Sequence, residues 1–484
     1  FYSSSKDKES IKKEYKNIQK ELFDEFVALG GGNLVLVDYN PFDPLSVAQF
    51  YDSEFMFNIK DGFDIVIGNP PYGVSIKDDY RKKVIEYLGQ VPDYEIYYFF
   101  IELSYKFGKK NGISSLIIPN TFLFNVYAKK FREIMLEKYS IEYILDCTSF
   151  KIFEKATVFN SIVLMKKNIN DNKQVGYKPT KNIKNFNELI LKETMYLTKE
   201  EMLDNIDNWS LAFRLDKDII SLVSKIKKNN KLIDYFPEIS QGLIAYDKHR
   251  GQDEKTIKTR AFHHDNNING EYKKWLLGEN VQKYNIIWNE KEWIDYNNKI
   301  ANPRNPKFFI GDRILVREIT NPSIFAALAT EEMYHDPAII SILSSNNFSL
   351  KTLLAILNSN FAKFYHFNTS PKATKGAFPK ILVNDIKNFP IPIVSKVEQK
   401  TFEIIVDYVI YIKKHLNNTN IDNYVSNKHI VKQFEDVIDA MVFELYFKEE
   451  FISKDIEFIR YVKEDFCSIE DLDDSLKEKI IRDS

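Results

Sequence analysis

The stretch from Phe63 to Tyr72, FDIVIGNPPY, decides the fold of this chain. Its apolar run at 65–67 is typical of a central parallel strand that is covered on both faces by other elements. The two prolines after it end the strand, because proline fixes φ and has no backbone N–H to donate. In open α/β sheets, ligands bind just beyond the carboxyl ends of such strands. We therefore predict a ligand site at the turn that follows Gly68.

The turn itself, Asn69-Pro70-Pro71-Tyr72, has the groups that an exocyclic amine needs. Asn69 offers a side-chain carbonyl and Pro70 a main-chain carbonyl, and both accept hydrogen bonds. Tyr72 offers an aromatic face for a planar ring. Asn-Pro is also an ordinary way to end a strand. The apolar run directly before the turn favours the chemical interpretation over this structural one.

Together with the run at 52–61, this stretch resembles the amino-methyltransferases that modify adenine N6 in DNA, above all those of fused type IIG restriction–modification proteins. The resemblance implies that S-adenosylmethionine is the methyl donor. It implies that the target adenine is flipped out of double-stranded DNA, because the amine is inaccessible inside the duplex. Asn69, Pro70, Pro71 and Tyr72 would then be the catalytic residues, and Tyr72 would stack on the extruded base.

Two further aromatic residues match positions of this family. Phe153, in the segment KIFEKATVF at 151–159, matches the residue that stacks on the other face of the base, and Phe159 is the alternative. Phe100 matches a residue that borders the adenine of the cofactor. Each of these rings is equally consistent with a place in the hydrophobic core.

The hydrophobic pattern predicts an α/β fold. Strands are expected at 63–68, 112–119, 141–146 and 158–165, with helices over 93–110 and at about 127–138. This alternation implies a parallel sheet, and the short loop before the last strand suggests an antiparallel hairpin at the sheet's edge. The pattern resembles a partial doubly wound methyltransferase sheet made of its later strands. Residues 73–92 are predicted to be a loop.

Changes in residue composition and hydrophobic pattern along the chain predict a mixed α+β target-recognition domain and a helical C-terminal region after the sheet. The stretches QGLIAY at 241–246, FIGDRILVR at 309–317 and LLAILNSN at 353–360 resemble segments of such recognition domains. We predict five segments: an N-terminal helical or irregular segment (1–62), the catalytic half of the methyltransferase domain (63–185), a linker with a helix (186–229), the target-recognition domain (230–395) and the helical C-terminal region (396–484).

Local clusters of positive charge in the recognition domain are candidate DNA contacts. Arg313 and Arg317 are four residues apart on one predicted strand, which puts both on the same face. Lys372 and Lys375 lie in a loop with Gly and Pro, as do many phosphate contacts. Arginine also reads guanine edges. Any of these groups is equally consistent with a solvated surface charge. The candidates are Lys248, Arg250, Arg313, Arg317, Lys372 and Lys375, with Arg317 the strongest.

Composition limits the class of protein. The 484 residues suffice for two or three domains, and the net charge of −2 means that any DNA-binding charge is local. Two cysteines, Cys147 and Cys467, suit a reducing cytoplasm and exclude a disulfide framework. No apolar run reaches the length of a membrane span, so no membrane partner is expected. His263 and His264 are adjacent but lack a second ligand pair, and no metal is expected.

The family's glycine-rich cofactor loop is not recognisable in this sequence. Gly30-Gly31-Gly32 is better explained as a helix stop, since a phosphate-binding loop needs a helix after it. We therefore expect the chain to lack the main cofactor loop and any upstream nuclease. It should be inactive in methyl transfer alone, without measurable binding of S-adenosylmethionine, unless an upstream methyltransferase or nuclease portion or a partner chain completes it.

Two alternative functions stay open at this point. The chain could be a non-catalytic subunit that only recognises a DNA sequence, although the tetrapeptide at 69–72 argues against this. It could also belong to methyltransferases that act on RNA or on a protein glutamine, which use the same tetrapeptide. The large C-terminal region favours DNA.

Overall fold

The structure is a computed structural model that describes most of the chain. The chain divides into two compact units, residues 1–207 and 208–484, and the division falls inside the predicted linker. The Gly30-Gly31-Gly32 run lies outside the described residues. The described residues are 5–28, 40–43, 45–46, 48, 51–73, 76–88, 95–147, 152–153, 158–167, 174–178, 183–213, 215, 217–267, 270–370, 373, 379–415 and 425–484.

The first unit alternates helices and strands. Its helices are α1 (Ser5–Ala28), α2 (Ser53–Phe57), α3 (Asp78–Leu88), α4 (Tyr97–Phe107), α5 (Lys129–Lys138), α6 (Phe186–Leu191) and α7 (Lys199–Asp204). Its strands are β1 (Phe63–Gly68), β2 (Gly108–Pro119), β3 (Ser140–Asp146), β4 (Asn160–Lys166), β5 (Val175–Lys178) and β6 (Met195–Leu197). Two short 3₁₀ turns, Asn120–Leu123 and Val126–Ala128, connect β2 to α5.

These strands form one mixed sheet of six strands in the order β1-β2-β4-β3-β5-β6. β1 is parallel to β2 and β3 is parallel to β5, so the predicted α/β class is confirmed. β4 is antiparallel to β3, as predicted, but its predicted place at the sheet's edge is wrong. It lies between β2 and β3 and pairs with both, because an antiparallel strand can complete the hydrogen bonds of two strands that run the same way.

β1 is the strand whose environment differs most from the prediction. It is an edge strand that pairs with β2 alone among the described residues. Ile65 and Ile67 are 62% and 79% exposed, so the prediction that 65–67 is a central strand covered on both faces is wrong. An apolar run predicts that a stretch forms a strand, but it does not predict how many other strands pair with it.

Helix α3 was not foreseen, since residues 73–92 were expected to form a loop. Its sequence, DDYRKKVIEYL, is largely charged, which hides the helical spacing of its few apolar residues. Asp78 and Asp79 lie in its first turn, where negative charge favours the helix dipole.

Helix α4 supports the two strands that lead to the candidate site. Tyr97, Tyr98, Phe99 and Ile101 are buried on it, and the helix packs against β1 and β2. Burial of each large side chain stabilises the unit by about 1.5–3 kcal/mol. The helix ends at Gly108, where the backbone becomes extended and enters β2 without a loop.

The second unit combines short strands with long helices. Its helices are α8 (Trp209–Ala212), α9 (Lys217–Ile226), α10 (Leu232–Tyr235), α11 (Glu254–Lys258), α12 (Leu350–Asn358), α13 (Asn360–Thr369), α14 (Val383–Lys387), α15 (Lys396–Lys414), α16 (Asn427–Tyr446), α17 (Lys448–Ile452), α18 (Phe458–Asp465) and α19 (Asp474–Asp483). Its strands are β7 (Asn230–Lys231), β8 (Ile239–Gln241), β9 (His263–His264), β10 (Lys273–Leu276), β11 (Val281–Gln282), β12 (Asn285–Ile286), β13 (Trp293–Ile294), β14 (Arg313–Arg317), β15 (Ala326–Ala329), β16 (Tyr334–His335), β17 (Ile339–Leu343) and β18 (Pro390–Ile391).

One apolar core joins the strands of this unit to its C-terminal helices. Strands β15, β14, β17 and β8 form an antiparallel sheet, and α12 packs against β14 and β15 on one side and α15 and α16 on the other. Leu353, Leu354, Ile356 and Leu357 of α12 are fully buried there. The predicted mixed α+β region and the helical C-terminal region are thus confirmed, and they share this core.

A close approach of two backbone segments constrains one position of the second unit. At Gly242, after β8, a Cβ atom would lie 2.0 Å from the carbonyl oxygen of Asp336, so only glycine fits there.

Within the described part of the chain, every helix is too short or too polar to cross a membrane.

Candidate active site

The tetrapeptide Asn69-Pro70-Pro71-Tyr72 begins directly after β1, at the carboxyl end of that strand, where the sequence predicts it. Asn69 and Pro71 are exposed, Pro70 is buried and Tyr72 is partly buried. An exposed amide next to a partly buried ring leaves room for a ligand that needs both hydrogen bonds and stacking.

The hydroxyl of Tyr72 joins the turn to the sheet. It lies 2.7 Å from Asn69 Oδ1 and 2.9 Å from the carbonyl oxygen of Ile117 in β2, and it donates its one proton to these two acceptors. Burial raises the pKa of Tyr72 to about 12, so the phenol stays protonated at neutral pH. The contact fixes both the tyrosine ring and the asparagine amide.

The two candidates for a second aromatic face lie on the connection between β3 and β4. Phe153 is partly buried, and the segments next to it lie outside the described residues. Phe159 is 51% exposed, and its carbonyl oxygen accepts a 2.9 Å hydrogen bond from the backbone of Asn120, just after β2. The structure thus brings Phe159 to the edge of the sheet at which the tetrapeptide follows β1. The stacking role of either ring stays a prediction.

A polar pair at the start of β4 was missed from the sequence. Asn160 and Ser161 are 3% and 0% exposed. Asn160 Nδ2 and Ser161 Oγ are buried, and neither has a hydrogen-bond partner among the described residues. The signal was two adjacent polar residues at the head of an otherwise apolar strand.

Asp146, at the end of β3, has a structural contact. It is buried, and its Oδ2 accepts a 2.5 Å hydrogen bond from the hydroxyl of Tyr177 on the neighbouring strand β5. Burial raises the pKa of the adjacent Cys147 to about 12, so this thiol is not a reactive nucleophile at neutral pH.

Arg132 on α5 is a second residue that the sequence did not reveal. It is fully buried and donates to four carbonyl oxygens: Ile206 (2.7 Å), Phe122 (2.9 Å), Asn125 (3.0 Å) and Asp207 (3.2 Å). Burial lowers the pKa of its guanidinium to about 10, which still leaves it charged at pH 7. Arg132 therefore fixes the 3₁₀ segment that leaves the carboxyl end of β2.

Phe100, the predicted cofactor contact, is partly buried on α4. Its neighbours Phe99 and Ile101 are buried, so Phe100 is the ring of this stretch that keeps some exposed surface. Its role stays a prediction.

Lys248 and Arg250, two predicted DNA contacts, are exposed in the second unit. They lie in a 3₁₀ turn whose N-cap is Asp247, with side chains 72% and 52% exposed. Their nearest carboxylates, Glu254 and Asp247, are each 3.6 Å away. Exposed pairs at this distance are weak, so both cations are available to a polyanion.

Arg313 is placed differently from the prediction. It is fully buried, and its guanidinium donates to the carbonyl oxygens of Gly311 (2.7 Å), Glu331 (3.0 Å) and Met333 (3.1 Å). Burial lowers the pKa of Arg313 to about 10. The prediction that Arg313 contacts DNA is therefore contradicted: strand alternation located its face correctly but did not reveal that this end of the face is covered.

Arg317, at the other end of β14, is partly buried, and its guanidinium lies 5.0 Å from the centre of the Phe325 ring. A cation over an aromatic face is stabilised by the ring quadrupole and keeps its edge free for another acceptor. Arg317 stays a predicted DNA contact. Lys372 and Lys375 lie outside the described residues.

His263, which raised the question of a metal, has a local hydrogen-bond partner. The backbone N–H of Phe262 donates to the Tyr246 hydroxyl (2.8 Å), which in turn lies 2.8 Å from His263 Nδ1. Burial lowers the pKa of the His263 imidazole to about 4, so it is neutral at pH 7. In the described ranges, no three His, Cys, Asp or Glu side chains are placed to hold a metal ion.

Part of each unit matches a known protein family. Residues 2–153 match the Eco57I restriction-modification methylase family, and residues 273–391 match the TaqI-like C-terminal specificity domain. This chain joins an Eco57I-type methylase region to a TaqI-like specificity domain. The methylase region contains the tetrapeptide at 69–72, and the specificity domain contains Arg313 and Arg317.

Two known proteins have related sequences over part of their length. The chain is 24% identical over 401 residues to a protein of Methanocaldococcus jannaschii named as a type II restriction enzyme and methyltransferase, covering 81% of this chain and 32% of that protein. It is 32% identical over 108 residues to the type II methyltransferase M.BstVI of Geobacillus stearothermophilus, covering 22% of this chain and 19% of that protein. The chain thus spans about a third or less of the length of these relatives.

Solved structures with partial similarity include two restriction–modification enzymes. The type IIL enzyme MmeI in complex with DNA has a TM-score of 0.48 at 12% identity, covering 83% of this chain and 57% of that chain. The type ISP enzyme LlaGI with a DNA substrate mimic has a TM-score of 0.45 at 12% identity, covering 74% of this chain and 42% of that chain.

Proposed function

We propose that this chain provides the base-binding part of a DNA methyltransferase that acts on adenine N6 within a restriction–modification or related phage-defence system. One observation carries the proposal: the tetrapeptide at 69–72 follows β1 with Asn69 exposed and with the ring of Tyr72 fixed by its hydroxyl. The match of residues 2–153 to the Eco57I methylase family supports it.

The chemistry follows from the acceptors in the turn. Adenine N6 is a weak nucleophile, because its lone pair is delocalised into the ring. Asn69 Oδ1 and the Pro70 carbonyl would accept the two amine hydrogens and stabilise the positive charge that develops on nitrogen during transfer. Asn69 Oδ1 has two lone pairs, so the bond from Tyr72 leaves one for the amine. No strong base is required, because the proton can leave after methyl transfer.

The target base would have to leave the duplex to reach this turn. Tyr72 offers one face for the extruded ring, and Phe153 or Phe159 would offer the other. Aromatic stacking of a base contributes about 1–3 kcal/mol for each ring, which offsets part of the unstacking free energy.

S-adenosylmethionine would supply an electrophilic methyl group when bound. The part of Phe100 that stays exposed on α4 fits an aromatic contact to the adenine of that cofactor. The tetrapeptide would then orient the amine for in-line attack, a positioning effect that lowers the barrier without covalent chemistry by the protein.

Double-stranded DNA is the proposed partner of the second unit. The match to a TaqI-like specificity domain supports this, as do the exposed cations Lys248 and Arg250. These two would contact phosphates and position the duplex, whereas Arg317 would read a base edge. The lysines Lys372 and Lys375 remain candidates for phosphate contact.

Analysis of the product tests the proposal. The full-length natural protein is incubated with methyl-labelled S-adenosylmethionine and genomic DNA, RNA or a protein extract from a host that lacks this system. We expect label in DNA, recovered as N6-methyladenine at one sequence. Label in RNA or in a protein glutamine, or no label in any substrate, contradicts it.

A further inference from the structure

Asn160, at the start of β4, has a buried hydrogen-bond donor in its side-chain amide. Its side chain is 3% exposed, and Nδ2 has no partner among the described residues. Leaving a buried polar group unpaired costs about 1–3 kcal/mol, and native proteins pair the large majority of such groups. An unpaired donor at the carboxyl edge of this sheet is therefore a candidate contact for a ligand acceptor.

The strand register locates this donor relative to the tetrapeptide. Tyr72 bonds to the carbonyl of Ile117, and two residues further along β2, Pro119 pairs with Asn160 on β4. Asn160 thus lies one strand spacing, about 4.8 Å, from β2 and about 7 Å beyond Ile117 towards the carboxyl edge. That is the direction in which a ligand held past the end of the strands would lie.

Side-chain alternation puts Asn160 on a definite face of the sheet. It shares a face with Pro119 and with Ile117, because directly opposed and alternate residues point to the same side. Ser161 points to the opposite face, where it pairs with Ile118 and Asp146. The two unpaired groups therefore lie on opposite faces of the sheet. Of the two, only Asn160 is on the same face as the side chain of Ile117.

We propose that Asn160 Nδ2 donates a hydrogen bond to N1 of the flipped adenine, an inference that rests on the proposed function. In the duplex, N1 accepts a hydrogen bond from the partner base, and flipping removes that donor. Enzymes that extrude a base read its Watson–Crick edge by hydrogen bonds. The tetrapeptide provides only acceptors for the amine, so a separate donor is needed for N1. Guanine and hypoxanthine carry a hydrogen on N1 and would oppose the amide donor.

Replacing one atom of the substrate tests this assignment. Duplexes are prepared with the target adenine or with 1-deazaadenine, in which C–H replaces N1, and the full-length natural protein is assayed for methyl transfer to each. The measured quantity is the ratio of the two rates for one protein preparation, so the folded fraction cancels. Asn160→Leu removes the donor at similar volume, and Asn160→Asp removes it with the same shape.

We expect the wild-type protein to prefer adenine, and the preference to shrink roughly tenfold in both Asn160 variants, the effect of one lost hydrogen bond. Ser161→Ala, the matched control, should keep the wild-type ratio. An unchanged ratio in the Asn160 variant that folds overturns the assignment and points to an ordered water on Nδ2 instead. Absence of methylation by the wild-type protein would contradict the proposed function and not this assignment alone.

Discussion

Tyr72 combines two tasks that are separable by mutation. Its ring would stack on the proposed base, and its hydroxyl bonds to Asn69 and Ile117. Removing only the hydroxyl in Tyr72→Phe should slow methyl transfer by the full-length protein about threefold to tenfold, the effect of one neutral hydrogen bond. Tyr72→Ala, which also removes the stacking surface, should slow it at least tenfold more. Equal rates for the two variants would contradict a stacking role.

The raised pKa of Tyr72 sets the sign of its contribution to the pH dependence of stability. The folded state keeps the phenolic proton up to about pH 12, whereas an unfolded tyrosine loses it near 10. The contribution of this group to stability is therefore present below pH 10 and is lost between about 10 and 12.

Arg132 shows how a residue remote from the chemistry fixes the carboxyl edge of the sheet. Arg132→Met should lower the free energy of unfolding by about 3 kcal/mol or more, since buried carbonyl oxygens lose their donor. The matched control is Lys130→Met on the same helix, where the side chain is 70% exposed and the change should stay within about 0.5 kcal/mol. Urea unfolding of this chain measures both. Equal unfolding midpoints for the two variants would contradict the structural role of Arg132.

At the scale of single residues, the sequence predicted the position of the candidate site better than the surroundings of its residues. The position of the tetrapeptide at 69–72, directly after β1, was predictable, because two prolines after an apolar run end a strand. Arg132 was not, because it bonds to Ile206 and Asp207, more than 70 residues further along the chain. Arg313 was misassigned for a similar reason: two of its three partners, Glu331 and Met333, lie 18 and 20 residues further along the chain.

Asn358 links two elements of the second unit. Its Oδ1 accepts from the backbone N–H of Ala326 and its Nδ2 donates to the carbonyl of the same residue, both at 3.0 Å, so the side chain acts as one more partner for strand β15. Asn358→Ala should lower the free energy of unfolding by about 1–3 kcal/mol, because the backbone N–H of Ala326 loses its acceptor in a buried place, whereas the carbonyl of Ala326 keeps its 2.8 Å hydrogen bond from the backbone N–H of Tyr284. The exposed Asn346→Ala is the matched control. Equal urea midpoints for the two variants would contradict this role.

At the scale of elements, the local hydrophobic pattern predicted where the strands lie in the sequence, but it did not predict which strands lie next to each other in the sheet. Strand β1 begins and ends where the sequence predicts, yet it lies at an edge with Ile65 and Ile67 exposed. β4 also lies where its apolar run predicts, but its insertion between β2 and β3 depends on pairing across the whole sheet. Helix α3 was missed because charge outweighs apolar spacing in its sequence.

At the scale of the whole molecule, the burial of His335 makes the stability of the second unit depend on pH. It is fully buried, its Nε2 lies 2.8 Å from Ser341 Oγ, and burial lowers its pKa to about 3. An unfolded histidine binds a proton near pH 6.5, so the stability that neutral His335 contributes is present above 6.5 and is lost as pH falls towards 3. The difference in unfolding free energy between the wild type and His335→Gln should therefore shrink as pH falls from 7 to 5. A constant difference would contradict the buried, neutral state of His335.

The central claim is that the turn after β1 binds the amine of an adenine, while the second unit binds the DNA around it. The most direct measurement is methyl transfer and DNA binding by the full-length natural protein with Asn69→Ala. We predict that methyl transfer falls at least about 100-fold, because an acceptor for the developing charge is lost, while the Kd for duplex DNA changes less than about threefold. Methyl transfer at the wild-type rate by Asn69→Ala would contradict the claim.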